Sequence, residues 1–155
     1  MQTIWISLRI LTDIRHSFRR FAELLPADGT LIINADTPKY EDIIRDLPCN
    51  VITYGLEHDA DYQAADITYD KYGHASFSVL RNGVKVGSYY LKVPGIHNVS
   101  NALAAIALGH LLGLSEEVII KDLEVSQEQT AVSSIKEKLQ GYDRRRVMHI
   151  ILQKL

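Results

Sequence analysis

Apolar positions in the first half of the chain follow patterns that predict two helices and two strands. Residues 17–25 carry apolar side chains at helical spacing, with Ser17 as the predicted N-cap. Leu31 to Ile33 form a continuous apolar run, which is typical of a strand buried on both faces of a parallel sheet. A helix from Tyr40 to Leu47 and a strand from Val51 to Tyr54 follow. This order predicts a compact strand–helix–strand crossover.

The next stretch is rich in β-branched and aromatic residues and predicts three strands, over residues 64–72, 75–80 and 84–93. Asn82 and Gly83 favour a type I′ turn between the last two strands. The predicted fold class is therefore α/β: a short, mostly parallel sheet with flanking helices, plus an antiparallel β-hairpin.

Two further helices are predicted after this hairpin. Pro94 and Gly95 end the last strand, and an alanine-rich helix is predicted from Asn98 to Leu112, with Gly113 as its terminator. A short helix with acidic residues in its first turn is predicted to start at Ser115.

Composition narrows the class of protein. A chain of 155 residues has room for one domain. Seventeen basic and nineteen acidic residues give a formal net charge of −2, so we expect no nucleic-acid binding driven by bulk charge. No apolar run is long enough to span a bilayer, and the single cysteine, Cys49, excludes an intramolecular disulfide. We expect no membrane partner and a cytoplasmic location.

The segment that carries candidate chemistry is Gly95-Ile96-His97-Asn98-Val99-Ser100-Asn101-Ala102, at the start of the alanine-rich helix. Asn98 and Asn101 are three residues apart and so share a helix face. Carboxamides donate and accept hydrogen bonds at once, which suits the edge of an adenine ring, and an imidazole can stack on the same base. The alternative is purely structural, because asparagine is a favoured helix cap and His97 can simply orient the loop.

Three separated blocks of the chain resemble the central, ATP-binding domain of Mur ligases. They read VPGIHNVSNALAAIALGHLLG, FRRFAELLPADGTLIINADTP and TYGLEHDADYQAADI, and they occur in the family's order. The first contains the family's Gly-x-His-Asn-x-x-Asn-Ala motif. The resemblance covers roughly residues 13–123 and implies that His97, Asn98 and Asn101 lie beside the adenine of ATP.

The same resemblance implies further site residues, cofactors and substrates. Asn34 and Asp36 belong to the family's Asn-Ala-Asp block near the nucleotide, although a turn-forming role is an equally good interpretation. The family uses ATP and Mg²⁺: ATP phosphorylates a carboxylate, and an amine then attacks the acyl phosphate. UDP-N-acetylmuramate and L-alanine are the substrates of the intact enzyme that the blocks most resemble.

Several parts of the family's machinery are missing from this sequence. No GxxxxGK[ST] phosphate loop occurs in the chain, and residues 1–12 contain neither the Glu nor the His that hold magnesium in the family. We therefore expect an inactive fragment of a peptidoglycan ligase, with no catalytic or metal-binding residues of its own and at most weak ATP binding. The alternative is a free-standing, non-catalytic α/β module that binds a nucleotide or, through its edge strands, a protein.

The two ends of the chain suggest an origin for this fragment. Codons permitted for residues 1–12, read in a shifted frame, can encode Ala-Asp-His-Leu-Asp, a family segment that supplies a magnesium ligand. The same shift over residues 124–138 and 147–155 can encode two more family segments. We therefore expect residues 13–123 to be part of the family's central domain, and residues 1–12 and 124–155 to be out-of-frame tails that pack poorly or form isolated helices.

The remaining titratable residues are expected to be structural. The other histidines are expected to be solvated or to lie at the edge of the core: His16, His58, His74, His110 and His149. Glu57, Asp59 and Asp61 are expected to be turn and surface acids, and Cys49 a structural thiol.

Overall fold

The computed structural model describes residues 14–125 and 147–150. In chain order the described elements are α1 (14–23), β1 (Thr30–Asn34), α2 (Glu41–Ile44), β2 (Asn50–Gly55), β3 (Tyr62–Tyr69), β4 (His74–Arg81), β5 (Val84–Pro94), α3 (Ile96–Leu111), α4 (Glu116–Val125) and β6 (Val147–Ile150). Within this part of the chain, no helix reaches the length and apolarity needed to cross a membrane.

The described strands form one six-stranded sheet in the order β5-β4-β3-β2-β1-β6. Pairing is parallel between β6, β1, β2 and β3, and antiparallel between β3, β4 and β5. The predicted α/β class is confirmed, with a parallel part, flanking helices and an antiparallel part. The hairpin between β4 and β5 turns at Asn82 and Gly83, both at positive φ (50° and 79°), as the type I′ turn requires.

Helices cover the parallel strands on both faces, which explains the apolar run of β1. Ile32 belongs to the core formed with α3 and α4, while Leu31 and Ile33 face the smaller core formed with α1 and α2. All five residues of β1 are buried. The alternation of side chains along a strand therefore divides one apolar run between two cores.

The bounds of the first two helices differ from the sequence predictions for identifiable reasons. Residue 14 is already helical, so Ser17 lies inside α1 and does not cap it. The second helix is shorter than predicted because the backbone leaves the helical conformation at Arg45 (ψ 128°) and Asp46 adopts φ +55°. Pro48 then disfavours a helical conformation at the residue before it.

One strand lies in the segment that was predicted to pack poorly. Residues 147–150 form β6, which pairs in parallel with β1 from Thr30 to Ile33 at the edge of the sheet. For these four residues the prediction was wrong. The reason lies in β1, whose free edge offers backbone hydrogen bonds to any extended segment. Residues 1–12 and most of 124–155 lie outside the described residues.

The topology brings the candidate residues together. The carboxyl ends of β1, β2 and β3 lie at one edge of the sheet because these strands are parallel. Two successive antiparallel pairings give β5 the same direction, so Pro94 and the start of α3 also lie at this edge. Parallel sheets typically bind ligands beyond the carboxyl ends of their strands.

Candidate functional site

Gly95 places the imidazole of His97 at the start of α3. Gly95 has φ +105° and is the N-cap residue of the helix. A Cβ atom at this position would lie 2.7 Å from Cε1 and 2.9 Å from Nδ1 of His97. Only glycine combines this backbone conformation with room for the ring. His97 is exposed, and its ring has no hydrogen-bond partner among the described residues.

Asn98 has a structural bond as well as a free acceptor. Its Nδ2 donates to the carbonyl of Pro94 over 2.7 Å, which ties the first turn of α3 to the end of β5. Because Gly95 caps the helix without a side-chain bond, Asn98 does not have the capping role considered as the alternative. Its Oδ1 accepts no hydrogen bond from the part of the chain that the structure describes.

Asn101 lies one turn further along and is half-buried. Its carboxamide makes no side-chain hydrogen bond within the described part of the chain. Since His97 and Asn101 are four residues apart, they share one side of α3. The structure therefore places an imidazole and a carboxamide on one side of α3, and their role at an adenine stays a prediction.

Asn34 connects the end of β1 to α3 and has little capacity for a further ligand. Its side chain is buried, and Nδ2 donates to Oγ of Ser100 over 3.3 Å. Its Oδ1 accepts a bond of 2.8 Å from the backbone N–H of Asp36. Ser100, on the same side of α3 as His97, is a positioning residue that the sequence analysis did not single out.

Asp36 organises the loop after β2. Its Oδ2 accepts from the backbone N–H of Leu56 at 2.6 Å, and its Oδ1 from the N–H groups of Glu57 and His58 at 3.0 Å each. Nδ1 of His58 also lies 3.0 Å from Oδ1. Burial alone would raise the pKa of Asp36, but these hydrogen bonds hold it below its ordinary value. The geometry favours the turn-forming interpretation of Asp36.

Other charged residues form local contacts. Oδ2 of Asp61 accepts bonds from the backbone N–H and the hydroxyl of Thr53, at 2.8 and 3.0 Å. Glu57 and Asp59 are exposed. In the described residues no group of three or more His, Cys, Asp or Glu side chains is arranged to hold a metal ion.

The remaining described histidines divide between the surface and the edge of the core. His16 is exposed, and His74 bonds through Nδ1 to the Asp70 carboxylate and the Tyr90 hydroxyl, at 3.1 and 3.0 Å. His110 lies at the edge of the core, as expected. Burial raises the pKa of Cys49, which fits a structural thiol. The side chain of His149 lies outside the described residues.

Comparison with known proteins decides the family. The family model described as "Mur ligase middle domain" matches residues 8–109. The chain belongs to the Mur ligase family. The resemblance stated from three sequence blocks is thereby confirmed, and the matched region contains β1 to β5 and all but the last two residues of α3.

Individual relatives point in the same direction. The chain is 48% identical over 114 residues to UDP-N-acetylmuramate–L-alanine ligase of Agathobacter rectalis, covering 74% of this chain and 25% of that protein. It is 49% identical over 110 residues to the ligase of the same name from Lachnospira eligens, covering 70% and 24%. The chain spans about a quarter of the length of the curated relatives it matches.

Solved structures support the same fold. A crystal structure of UDP-N-acetylmuramate:L-alanyl-gamma-D-glutamyl-meso-diaminopimelate ligase from Neisseria meningitides is 27% identical, with a TM-score of 0.58. The match covers 81% of this chain and 33% of that one. The chain is thus similar to the middle part of a Mur ligase of peptidoglycan synthesis.

Proposed function

We propose that this chain is the adenine-binding part of a UDP-N-acetylmuramate–L-alanine ligase and that it does not catalyse ligation by itself. The observation that carries the proposal is the pairing of His97 with Asn101 at the start of α3, beside the carboxyl edge of the sheet. Gly95 leaves room for the imidazole, and neither side chain has a hydrogen-bond partner among the described residues. Polar groups left unbonded at such an edge are available to a ligand.

The residues present fit the base of ATP. An adenine edge offers an amino donor beside a ring-nitrogen acceptor, and the Asn101 carboxamide can match both. Oδ1 of Asn98 offers a second acceptor, since its Nδ2 is used by the Pro94 carbonyl. The ring of His97 supplies a flat surface on which a base can stack.

The residues present do not fit the phosphates and Mg²⁺. The chain contains no GxxxxGK[ST] motif, and the described residues contain no cluster of three or more potential metal ligands. ATP supplies the phosphoryl group in this family, but nothing in the described chain positions that group. Phosphoryl transfer depends almost wholly on such positioning and charge stabilisation, so we infer no catalytic step.

The proposal also covers substrates and location. UDP-N-acetylmuramate and L-alanine are assigned to the intact ligase, in the cytoplasm, and not to this chain alone. Base contacts without phosphate contacts give weak ATP binding, roughly millimolar. Because the described residues contain no set that could hold the metal, this affinity should change little when Mg²⁺ is added.

The test is a titration of the 155-residue protein with ATP, with and without Mg²⁺, followed by NMR shifts. Asn101→Ala should abolish the binding. Asn50→Ala, an exposed asparagine at the opposite edge of the sheet, is the matched control and should bind as the wild type. Wild-type protein that binds no ATP, or that ligates L-alanine to UDP-N-acetylmuramate, would overturn the proposal.

A further inference from the structure

His58 combines an anchored ring nitrogen with an exposed ring. The side chain is 63% exposed, whereas the Asp36 side chain that holds it is 9% exposed. Nδ1 of His58 lies 3.0 Å from Oδ1 of Asp36. A carboxylate only accepts hydrogen bonds, so Nδ1 carries the proton and Nε2 of the neutral ring is an acceptor. Asp36 therefore orients an acceptor toward solvent.

A continuous series of hydrogen bonds connects His58 to the helix that carries the candidate site. Asp36 holds His58, Asn34 accepts from the N–H of Asp36 at 2.8 Å, and Asn34 donates to Ser100 at 3.3 Å. Ser100 lies three residues after His97, on the same side of α3. These short contacts place the His58 loop at the same carboxyl edge of the sheet as the first turns of α3.

The contact between the His58 ring and Asp36 is additional to the bonds that hold the loop backbone. Three successive backbone N–H groups, from Leu56 to His58, already bond to Asp36 and fix the loop. The fourth bond fixes the imidazole itself. Fixing an exposed ring costs side-chain entropy without burying apolar surface, and a ligand at the adjacent edge would make use of the fixed acceptor.

We propose that His58 is a further nucleotide-binding residue, whose Nε2 accepts a hydrogen bond from a donor on the nucleoside part of ATP. Asp36 is then a positioning residue, since it acts through His58. This inference rests on the proposed adenine site. Two donors share the required chemistry, the amino group of the base and the hydroxyl groups of the ribose.

Two substitutions separate the anchor from the ligand contact. His58→Asn places an amide group where Nδ1 lies, so it can keep the bond to Asp36 but loses the acceptor at Nε2. His58→Gln places an acceptor near the position of Nε2. We expect ATP to bind about threefold to tenfold more weakly to His58→Asn, the usual effect of one neutral hydrogen bond, and His58→Gln to recover part of this loss.

The experiment is an NMR titration with ATP, inosine triphosphate and 2′,3′-dideoxy-ATP. If the base amino group is the donor, inosine triphosphate binds with equal affinity to wild type and His58→Asn. If a ribose hydroxyl is the donor, dideoxy-ATP binds with equal affinity to the two proteins. Long-range ¹H–¹⁵N spectra should also show the proton on Nδ1 of His58. His16→Ala, an exposed histidine on α1, is the control and should bind ATP normally.

The outcomes are distinguishable. Wild-type ATP affinity in His58→Asn, with binding lost in Asn101→Ala, overturns the role of His58 and leaves the adenine site standing. A proton on Nε2 in place of Nδ1 also overturns it. A wild-type protein that binds none of the three nucleotides overturns the adenine site and this inference together.

Discussion

The two ends of α3 each carry a glycine and a histidine, but they use them in opposite ways. At the start, Gly95 leaves room for the exposed ring of His97, which has no hydrogen-bond partner among the described residues. At the end, Gly113 has open space around it, and both ring nitrogens of His110 are bonded. Nδ1 of His110 lies 3.0 Å from the Tyr62 hydroxyl, and Nε2 lies 2.8 Å from Oε2 of Glu116.

This difference separates the proposed binding end of α3 from its structural end. The half-buried hydrogen bonds at both ring nitrogens of His110 hold α3, α4 and β3 together, whereas unused polar groups at an open edge can bind a ligand. Similar residue types therefore have different roles because of what the fold places around them. Each of the following predictions tests one side of this comparison.

The largest effect is expected for Gly95→Ala. The new Cβ would lie 2.7 Å from the His97 ring, and the residue would keep a φ of +105° that alanine rarely adopts. We expect a loss of stability of about 1–3 kcal/mol from backbone strain, together with displacement of the ring and loss of ATP binding. Urea unfolding and an ATP titration measure the two effects.

Gly113→Ala is the matched control for this change. It introduces the same side chain at a positive φ of 73°, with nothing within 4 Å of the new atom. It should lose about 1 kcal/mol of stability and bind ATP as the wild type does. Equal ATP affinity in the two variants would show that ATP binding does not depend on the room that Gly95 leaves for the His97 ring.

The next largest effect is expected for His110→Ala. The change leaves the Tyr62 hydroxyl and Oε2 of Glu116 without their partner, and we expect a loss of about 1–3 kcal/mol at pH 7. His74→Ala, which removes a more exposed pair with Asp70, should cost less than about 1 kcal/mol. ATP binding should be unchanged in both variants. A smaller loss in His110→Ala than in His74→Ala would contradict the structural role.

The same histidine should make stability depend on pH. Burial, and secondly the positive charge of Arg81, lower the pKa of His110 below 6.5. As the pH falls below 6.5, the unfolded chain binds a proton at His110 that the folded chain does not bind. The His110 contribution to the unfolding free energy therefore falls on mild acidification, until the lower folded pKa is reached. Replacing His110 should flatten the wild-type pH dependence of unfolding in this window.

Local features of the fold could be predicted from the sequence because their causes are local. The apolar run of β1, the Asn82-Gly83 turn and the stop at Gly113 each depend on neighbouring residues. The predicted Ser17 cap was wrong because residue 14 is already helical. The apolar spacing after Ser17 did not indicate that the helix includes residues before it.

The connections within the candidate site could not be predicted in this way. Asn34 and Ser100 are 66 positions apart, and Asp36 and His58 are 22 apart. No spacing rule relates such pairs, because the sheet order brings them together. The family resemblance singled out His97, Asn98 and Asn101 as candidates, but it gave no indication that Asn98 also ties the helix to Pro94 or that His58 is anchored.

A smaller effect is expected when the two asparagines of the motif are compared. Asn98→Ala removes the 2.7 Å bond to the Pro94 carbonyl, so it should lose about 1 kcal/mol of stability as well as ATP affinity. Asn101→Ala removes no hydrogen bond to described residues and should lose ATP affinity with a stability change of less than about 0.5 kcal/mol. Thermal unfolding without nucleotide separates the two, and equal melting temperatures would contradict the double role of Asn98.

The smallest effect is expected for Glu116→Gln at the structural end of α3. Burial raises the pKa of Glu116, and its Oε1 is buried without a hydrogen-bond partner in the described residues, close to Gly87. A glutamine keeps an acceptor for His110, and its amide can donate to the Tyr89 hydroxyl, which is also buried and unbonded within the described chain. At pH 7 we therefore expect a change of less than about 1 kcal/mol, in the stabilising direction.

The raised pKa means that the folded chain holds its proton on Glu116 to a higher pH than the unfolded chain does, so this side chain contributes less to stability as the pH rises from about 4.5. Urea unfolding at pH 4.5 and pH 7 should show that the unfolding free energy of Glu116→Gln, relative to that of the wild type, is larger at the higher pH. A clear loss of stability at pH 7 would mean that the charge of Glu116 is needed to hold His110.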